Sequence, residues 1–416
     1  MTFGALAGAH EGDTFEPRRH TAMHVCHVAR GAVLEPVGQW MRPLYFPRQG
    51  EDLHAAVARE CLAARRGVAL MDASTLGKID IRGKDSRELL NRVYANAWTN
   101  LAPGKCRYGL MLDENGMVMD DGVTSCLADD HFLMTTTTGG AARVLSWLET
   151  WHQTEWAHLE LYMTSVTDHW AVAAIVGPKS REVLAKISSG IDLSRDAFRF
   201  MEWRAGKVAG VPARVFRISF SGELAFEVNV EAGYGAHVWE ALLTAGADEG
   251  ITPYGTETMH VLRAEKGFII VGQDTDGSMT PIDLDMASAV NLKKRFSFIG
   301  RRSLARSDTA RTDRKQLVGL LTDDPKVVLK EGAQIIEAVG AAPPVPMLGH
   351  VTSSYMSPEL GRSIALAVVK DGIKRRSEAG REAGRDALFA WAGGVAHRVR
   401  VVSPVFLDPE GARQNV

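Results

Sequence analysis

Leu110-Met111-Leu112-Asp113-Glu114-Asn115-Gly116-Met117-Val118-Met119-Asp120-Asp121-Gly122-Val123 is the stretch from which the fold is read. Asn and Gly accept positive φ, so Asp-Glu-Asn-Gly predicts a tight two-residue hairpin turn. The apolar runs on either side, Tyr108–Leu112 and Met117–Met119, are then its strands. Successive strand side chains point to opposite faces. Asp120 and Asp121 therefore have different jobs: one meets solvent or a backbone cap, and the other can point into an interior. An inward carboxylate needs a partner, because unpaired buried charge is costly. A cationic reaction centre is one such partner. On this stretch alone the ordinary alternative stays open, two solvated acids at a strand end.

Composition bounds the class. The chain has 416 residues, 45% of them hydrophobic and 24% charged, which is ordinary for a soluble protein of two or three domains. A formal net charge of −2 gives no overall field for nucleic acid, and no apolar run is long enough to span a membrane. The first residues lack a basic, then apolar, secretory leader. Cys26, Cys61, Cys106 and Cys126 form no Cys-x-x-Cys pair, so free thiols in the cytoplasm are expected. His24-x-Cys26-His27 is a local metal-like cluster, but two further ligands at suitable spacing are missing, and no metal is expected.

Along the chain the pattern is mixed. Residues 1–37, rich in Gly, Pro, His and Arg, read as an extended arm. Helical spacing runs from Leu53 to Arg65 and from Ser86 to Ala95. Further helices are expected after Gly139-Gly140 as far as Trp151, over 180–187, over 234–250 and over 255–266. Strand-like runs are Val68–Asp72, Lys78–Gly83, Phe132–Thr138, Val172–Pro178, Val211–Phe220 and Leu224–Val230. Residues 308–315 read as a linker. Beyond them, short strands with turns every ten residues or so carry a β-barrel or sandwich signature. Lys374–Arg385 reads as a solvated charged loop. No Gly-x-Gly-x-x-Gly fingerprint is visible.

Other polar groups have two readings each. Glu227 shares the strand parity of Ala225 and Asn229, so alternation alone makes it an outward acid. Arg263 on an apolar helix is ordinarily half of a structural ion pair. Gly272–Gly277 resembles half of a calcium loop but lacks the bidentate Glu. The threonines 135–138 are ordinarily strand propensity.

Several motifs in this order resemble a known family. They are Gly38-Gln39-Trp40-Met41-Arg42-Pro43, Met71–Lys78, Arg107-Tyr108-Gly109 and Gly116–Gly122, then Phe220–Glu227, Thr256–Gly267, Val271–Asp276 and Thr352–Gly361. Together they resemble the aminomethyltransferase (glycine-cleavage T-protein) family, and within it the C-terminal half of heterotetrameric sarcosine oxidase α subunits. The resemblance covers about residues 36–410. It implies an α+β fold, a three-module cloverleaf around a central hole with a β-barrel-like C-terminal module. The implied layout is an arm (1–37), a folate-binding region of two interleaved α+β modules (38–307) and a barrel module (316–410).

The resemblance also implies chemistry. Tetrahydrofolate would occupy the hole, with Asp121 as catalytic carboxylate and Tyr108, Thr137, Glu227 and Arg263 in the pocket. Thr137 falls where T-proteins have an Asn, and Phe220 replaces a tyrosine. The implied reaction traps the iminium from sarcosine (N-methylglycine) oxidation as 5,10-methylenetetrahydrofolate and releases glycine. The flavin step would belong to other subunits, so sarcosine oxidase β, γ and δ subunits are expected partners. No FAD or NAD site is expected in this chain, which would be a stand-alone, truncated or split α-type product. Two alternatives stay open: a stand-alone aminomethyl or methyl transferase, and a non-enzymatic folate-binding accessory protein. Relatives of the accessory type carry a Cys that Lys266–Gln273 lacks.

Overall fold

The computed structural model describes residues 17–340 and 344–416. Two large antiparallel-rich sheets, a two-stranded ribbon and a barrel, with their helices, make an α+β protein of three modules. The first sheet has the order Cys106–Leu112, Val118–Ala128, His131–Thr136, Gly77–Arg82, Tyr162–Ser165. The second runs Ser188–Ser189, Glu202–Val208, Val211–Arg217, Ala225–Glu231, Trp170–Val176, Ala69–Asp72, Thr252–Pro253. The chain leaves the second sheet after Asp72, completes the first, and returns at Trp170. A closed six-stranded barrel follows, opening with Lys315–Thr322 and ending with Val395–Val402.

Each sheet buries one face under helices. Ile79, Ile81, Met111, Phe132 and Met134 meet Leu89, Leu90, Val144 and Leu148 of the helices Ser86–Val93 and Ala141–Thr154. Leu70, Ile175, Phe226 and Val228 meet Val183, Leu184, Val238 and Trp239 of Ser180–Ile187 and Gly235–Ala245. The opposite faces are buried too. Leu110, Leu112 and Val118 from the first sheet share one core with Met71, Ala174 and Ala225 from the second and with Leu317, Ile364 and Leu366 from the barrel. The three modules therefore meet in a common centre, and Tyr108, Asp121 and Glu227 on those inner faces are half-buried.

The opening hairpin differs from its expectation. Its loop has three residues, not two: Asp113 N donates to Met117 O at 2.9 Å, and only Gly116 has positive φ, at +85°. The Asp113 carboxylate explains this, accepting from the backbone N–H of both Asn115 and Met117 at 2.9 Å. Such side-chain capping favours a longer turn with glycine in the left-handed position.

Two other stretches are more ordered than their composition implied. The expected extended arm is folded from residue 17 onward; residues 1–16 lie outside the described part. Helix His24–Ala29 buries Cys26 and His27, and Val33–Val37 pairs with Trp40–Tyr45. His27 sits edge-on to Trp239 and bonds Asp72 at 2.9 Å. That packing, which outweighs the Gly and Pro content, ties the segment down. Lys374–Arg385, expected as a solvated loop, forms the short helices Gly372–Arg376 and Glu378–Glu382. Ser377 caps the second, and buried Arg375 ties the pair to Lys370 O, Arg385 O and Glu337. Among the described residues no helix is long and apolar enough to cross a membrane, and no group of His, Cys, Asp and Glu could hold a metal.

Candidate active site

Pairing register separates the two aspartates. Asp121 stands opposite Leu110 and Asp120 opposite Met111. Directly opposed residues on antiparallel strands share a face. Leu110 belongs to the common centre and Met111 to the helix-covered core, so Asp121 faces the centre and Asp120 faces away from it.

Asp120 is fully buried and satisfied internally. It accepts from Asp121 N at 2.7 Å, Thr137 N at 3.1 Å and the Thr137 hydroxyl at 3.0 Å. It thus ties its strand to the chain leaving His131–Thr136. Gly140 must be glycine-like in size here, because a β-carbon would run into the Asp120 carboxylate. The Thr137 hydroxyl donates to Asp120 and accepts from Gly140 N at 3.1 Å, so in the ligand-free chain it braces the strand end.

Asp121 has a different environment. The Tyr108 hydroxyl donates to its Oδ2 at 2.6 Å, while Oδ1 has no partner among the described residues. Burial pushes its carboxyl up to about 7, against the lowering effect of the Tyr108 bond, and Asp120 adds to the rise. Such a group is poised to exchange a proton near neutrality.

Glu227 comes from the facing sheet. Its register partner is Ala174, whose own partner is Met71, and both lie in the common centre. Parity with Ala225 holds, but this face looks onto another sheet and not onto solvent. Among the described residues the Glu227 carboxylate accepts no hydrogen bond, and burial pushes it up to about 7, with Lys78 acting weakly the other way. A half-buried carboxyl with no protein donor is a candidate ligand contact.

One consequence is measurable. Between pH 4.5 and about 7 the folded chain keeps a proton on Glu227 that the unfolded chain has lost. Stability then falls as pH rises through that window. Glu227→Gln is expected to make the fall shallower and to stabilise the ligand-free chain at pH 8 by about 1–3 kcal/mol. Urea unfolding at pH 5 and pH 8 checks this, and an unchanged difference between the two would refute it.

Arg263 is placed in an ion pair. It is fully buried, and its guanidinium is paired with Asp274 and donates to Ser353 Oγ at 2.7 Å and Phe268 O at 3.1 Å. It fastens helix Thr256–Glu265 to the following loop and to the barrel strand Gly349–Ser357. The structural ion pair, the ordinary reading of its sequence, is what the structure contains.

Comparison with known proteins fits this geometry. Residues 23–294 match the GCVT N-terminal domain family, and residues 315–408 match the glycine cleavage T-protein C-terminal barrel domain. The chain belongs to the glycine-cleavage T-protein (aminomethyltransferase) family. It is 51% identical over its whole length to a sarcosine oxidase subunit alpha of Corynebacterium sp. (strain U-96), of which it spans 42%. It is 43% identical to that of Rhizobium meliloti (strain 1021), again spanning 42% of it. An aminomethyltransferase of Symbiobacterium thermophilum is 33% identical over 85% of this chain and 90% of its own length. The glycine cleavage system aminomethyltransferase T of Bartonella henselae superposes with a TM-score of 0.79 over 94% of this chain and 98% of its own, at 22% identity, and so shares the fold. The chain thus spans less than half the length of the sarcosine oxidase subunits it matches.

The sequence reading missed three buried polar groups in or beside the centre. Lys78 pairs with Thr135 on the face opposite Ile79, and its Nζ donates to Ser74 O and Leu76 O, both at 2.9 Å. Burial lowers its pKa to about 8. Tyr254 is buried, and its hydroxyl makes no hydrogen bond among the described residues. Arg42 is the third. Lys78 and Arg42 were visible only as letters inside motifs. A cation alternating with Ile79 and Ile81 was the one local hint for Lys78.

Proposed function

We propose that this family member is a tetrahydrofolate-dependent one-carbon transferase that serves the oxidation of sarcosine. On this reading an iminium derived from sarcosine yields 5,10-methylenetetrahydrofolate and glycine. The observation that carries the reading is that each sheet turns a half-buried carboxyl to the common centre, Asp121 held by Tyr108 and Glu227 without a donor, both raised to about 7.

The residues present suit a reduced folate. Glu227 offers two oxygens to an N–H edge of a ring, and the apolar core that holds Met71, Leu110 and Ala174 lies beneath it. Bound there, tetrahydrofolate supplies the nitrogens that take up the one-carbon unit. Asp121, as carboxylate, stabilises the cationic carbon and accepts the proton released on its capture. Tyr108 fixes Oδ2 and so orients Oδ1.

Similarity over the whole chain to sarcosine oxidase α subunits favours sarcosine as the source of the one-carbon unit, with flavin oxidation in a β partner subunit and γ and δ subunits as further partners. The aminomethyltransferase relatives support the second reading, a stand-alone transferase. Titration calorimetry of the purified chain with tetrahydrofolate tests the shared core of both. Saturable binding at or below high micromolar concentration, reduced about 10-fold or more in Glu227→Ala, is expected. No heat from the wild-type chain would overturn the folate reading.

A further inference from the structure

Arg42 lies in strand Trp40–Tyr45 and is only 8% exposed. Among the described residues its guanidinium donates no hydrogen bond and reaches no carboxylate. Its nearest acids, Asp72 and Glu35, are committed elsewhere. Asp72 accepts from the Thr21 hydroxyl at 2.6 Å, His27 at 2.9 Å and Ser74 N at 2.9 Å. Glu35 accepts from the Thr256 hydroxyl. Arg42 Nε is fully enclosed without a hydrogen-bond partner, and a buried cation that no carboxylate directly bonds is unfavourable, which points to a partner that comes and goes.

Its surroundings lead to the common centre. Pro43 O accepts from the Thr256 hydroxyl, two residues beyond Tyr254. Tyr254 N donates to Leu70 O, beside the row Met71, Ala174, Glu227. Lys78 enters from the other sheet, 2% exposed, with its amine on Ser74 O and Leu76 O and no carboxylate at ion-pair distance among the described residues. Asp72 is a near charge for both cations.

We propose that Arg42, supported by Lys78, is an anion subsite of this centre that binds a ligand carboxylate. A planar guanidinium fork matches the two oxygens of a carboxylate. The acids already lining the centre, Asp121 and Glu227, would repel such a ligand unless a fixed cation received it. The inference rests on the folate reading above, which makes two carboxylates available: that of the amino-acid product glycine, and those of the glutamyl tail of tetrahydrofolate.

Binding of three probes by wild type, Arg42→Met, Arg42→Lys and Lys78→Met decides it. The probes are tetrahydrofolate, 6-methyltetrahydropterin, which has no carboxylate, and glycine. Arg42→Met is expected to lose about 10-fold or more in affinity for one carboxylate probe while its pterin affinity is unchanged. A loss for tetrahydrofolate assigns the glutamyl tail, and a loss for glycine assigns the amino acid. Lys78→Met should show the same selectivity with a smaller loss. The melting temperature of ligand-free Arg42→Met should rise, because an unpaired buried charge is gone. A lowered melting temperature with both carboxylate affinities intact would overturn the subsite and make Arg42 structural. If the wild-type chain binds neither folate nor pterin, the folate reading fails while glycine still decides the subsite; binding of none of the three overturns both.

Discussion

Asp121→Asn is expected to lower one-carbon transfer by about 10²–10³-fold while tetrahydrofolate still binds. The substitution keeps the side-chain shape and removes the charge. It also removes the only group in the Tyr108 pair that can take a proton near neutrality. With oxidase partners and sarcosine supplied, methylenetetrahydrofolate should fall and free formaldehyde rise, with sarcosine consumption unchanged. The pH profile of transfer should also lose its inflection near 7. Asp120→Asn is the contrasting case. Its carboxylate is spent on Asp121 N, Thr137 N and the Thr137 hydroxyl, so its effect should appear as lost stability and leave the product ratio alone. If Asp120→Asn diverted product to formaldehyde and Asp121→Asn did not, the register assignment would be refuted. If neither did, the carboxylate would have no part in transfer.

Alternation alone showed that the two aspartates differ, but not which one faces inward. That needed the register Leu110 with Asp121, a long-range fact that the local pattern does not contain. Glu227 shows the complementary limit. Its parity was legible, but a strand pattern cannot say whether the less apolar face meets water or a second layer. Here the small residues Ala174 and Ala225 let a second sheet and the barrel close over that face. The hairpin was legible and its loop length was not, because the Asp113 side chain competes with the backbone for the turn donors. The N-terminal histidines looked metal-like because the sequence hides their tertiary partner: His27 is taken up by Asp72 and packed on Trp239. The three-module fold was read from a resemblance; the regularly spaced short strands marked the last module as a barrel or a sandwich, and the structure closes it into a barrel. Arg42 and Tyr254 have no local signature. A buried cation is recognised as unpaired only after every neighbouring acid has been accounted for.

Arg263→Ala is expected to destabilise the protein by about 3–5 kcal/mol, because it leaves Asp274 as a buried charge without its counter-ion. Asp274 also holds Ile270 N at 2.9 Å, Thr352 Oγ1 at 2.5 Å and Ser353 Oγ at 2.9 Å. The pair is thus the knot between the helix Thr256–Glu265, its following loop and the barrel. Loss of Arg263 should loosen the barrel from the centre before either sheet unfolds. Hydrogen exchange should therefore rise first in Gly349–Ser357 and in 268–275. Removing both partners together should cost less than the sum of the single losses, since the double variant leaves no orphaned charge. A pocket role makes the opposite prediction: a chain of near-native stability that has selectively lost folate affinity. Denaturant midpoints for both single variants and the double variant, with folate affinity measured well below each midpoint, separate the two. A stable Arg263→Ala chain that fails to bind folate would return Arg263 to the pocket.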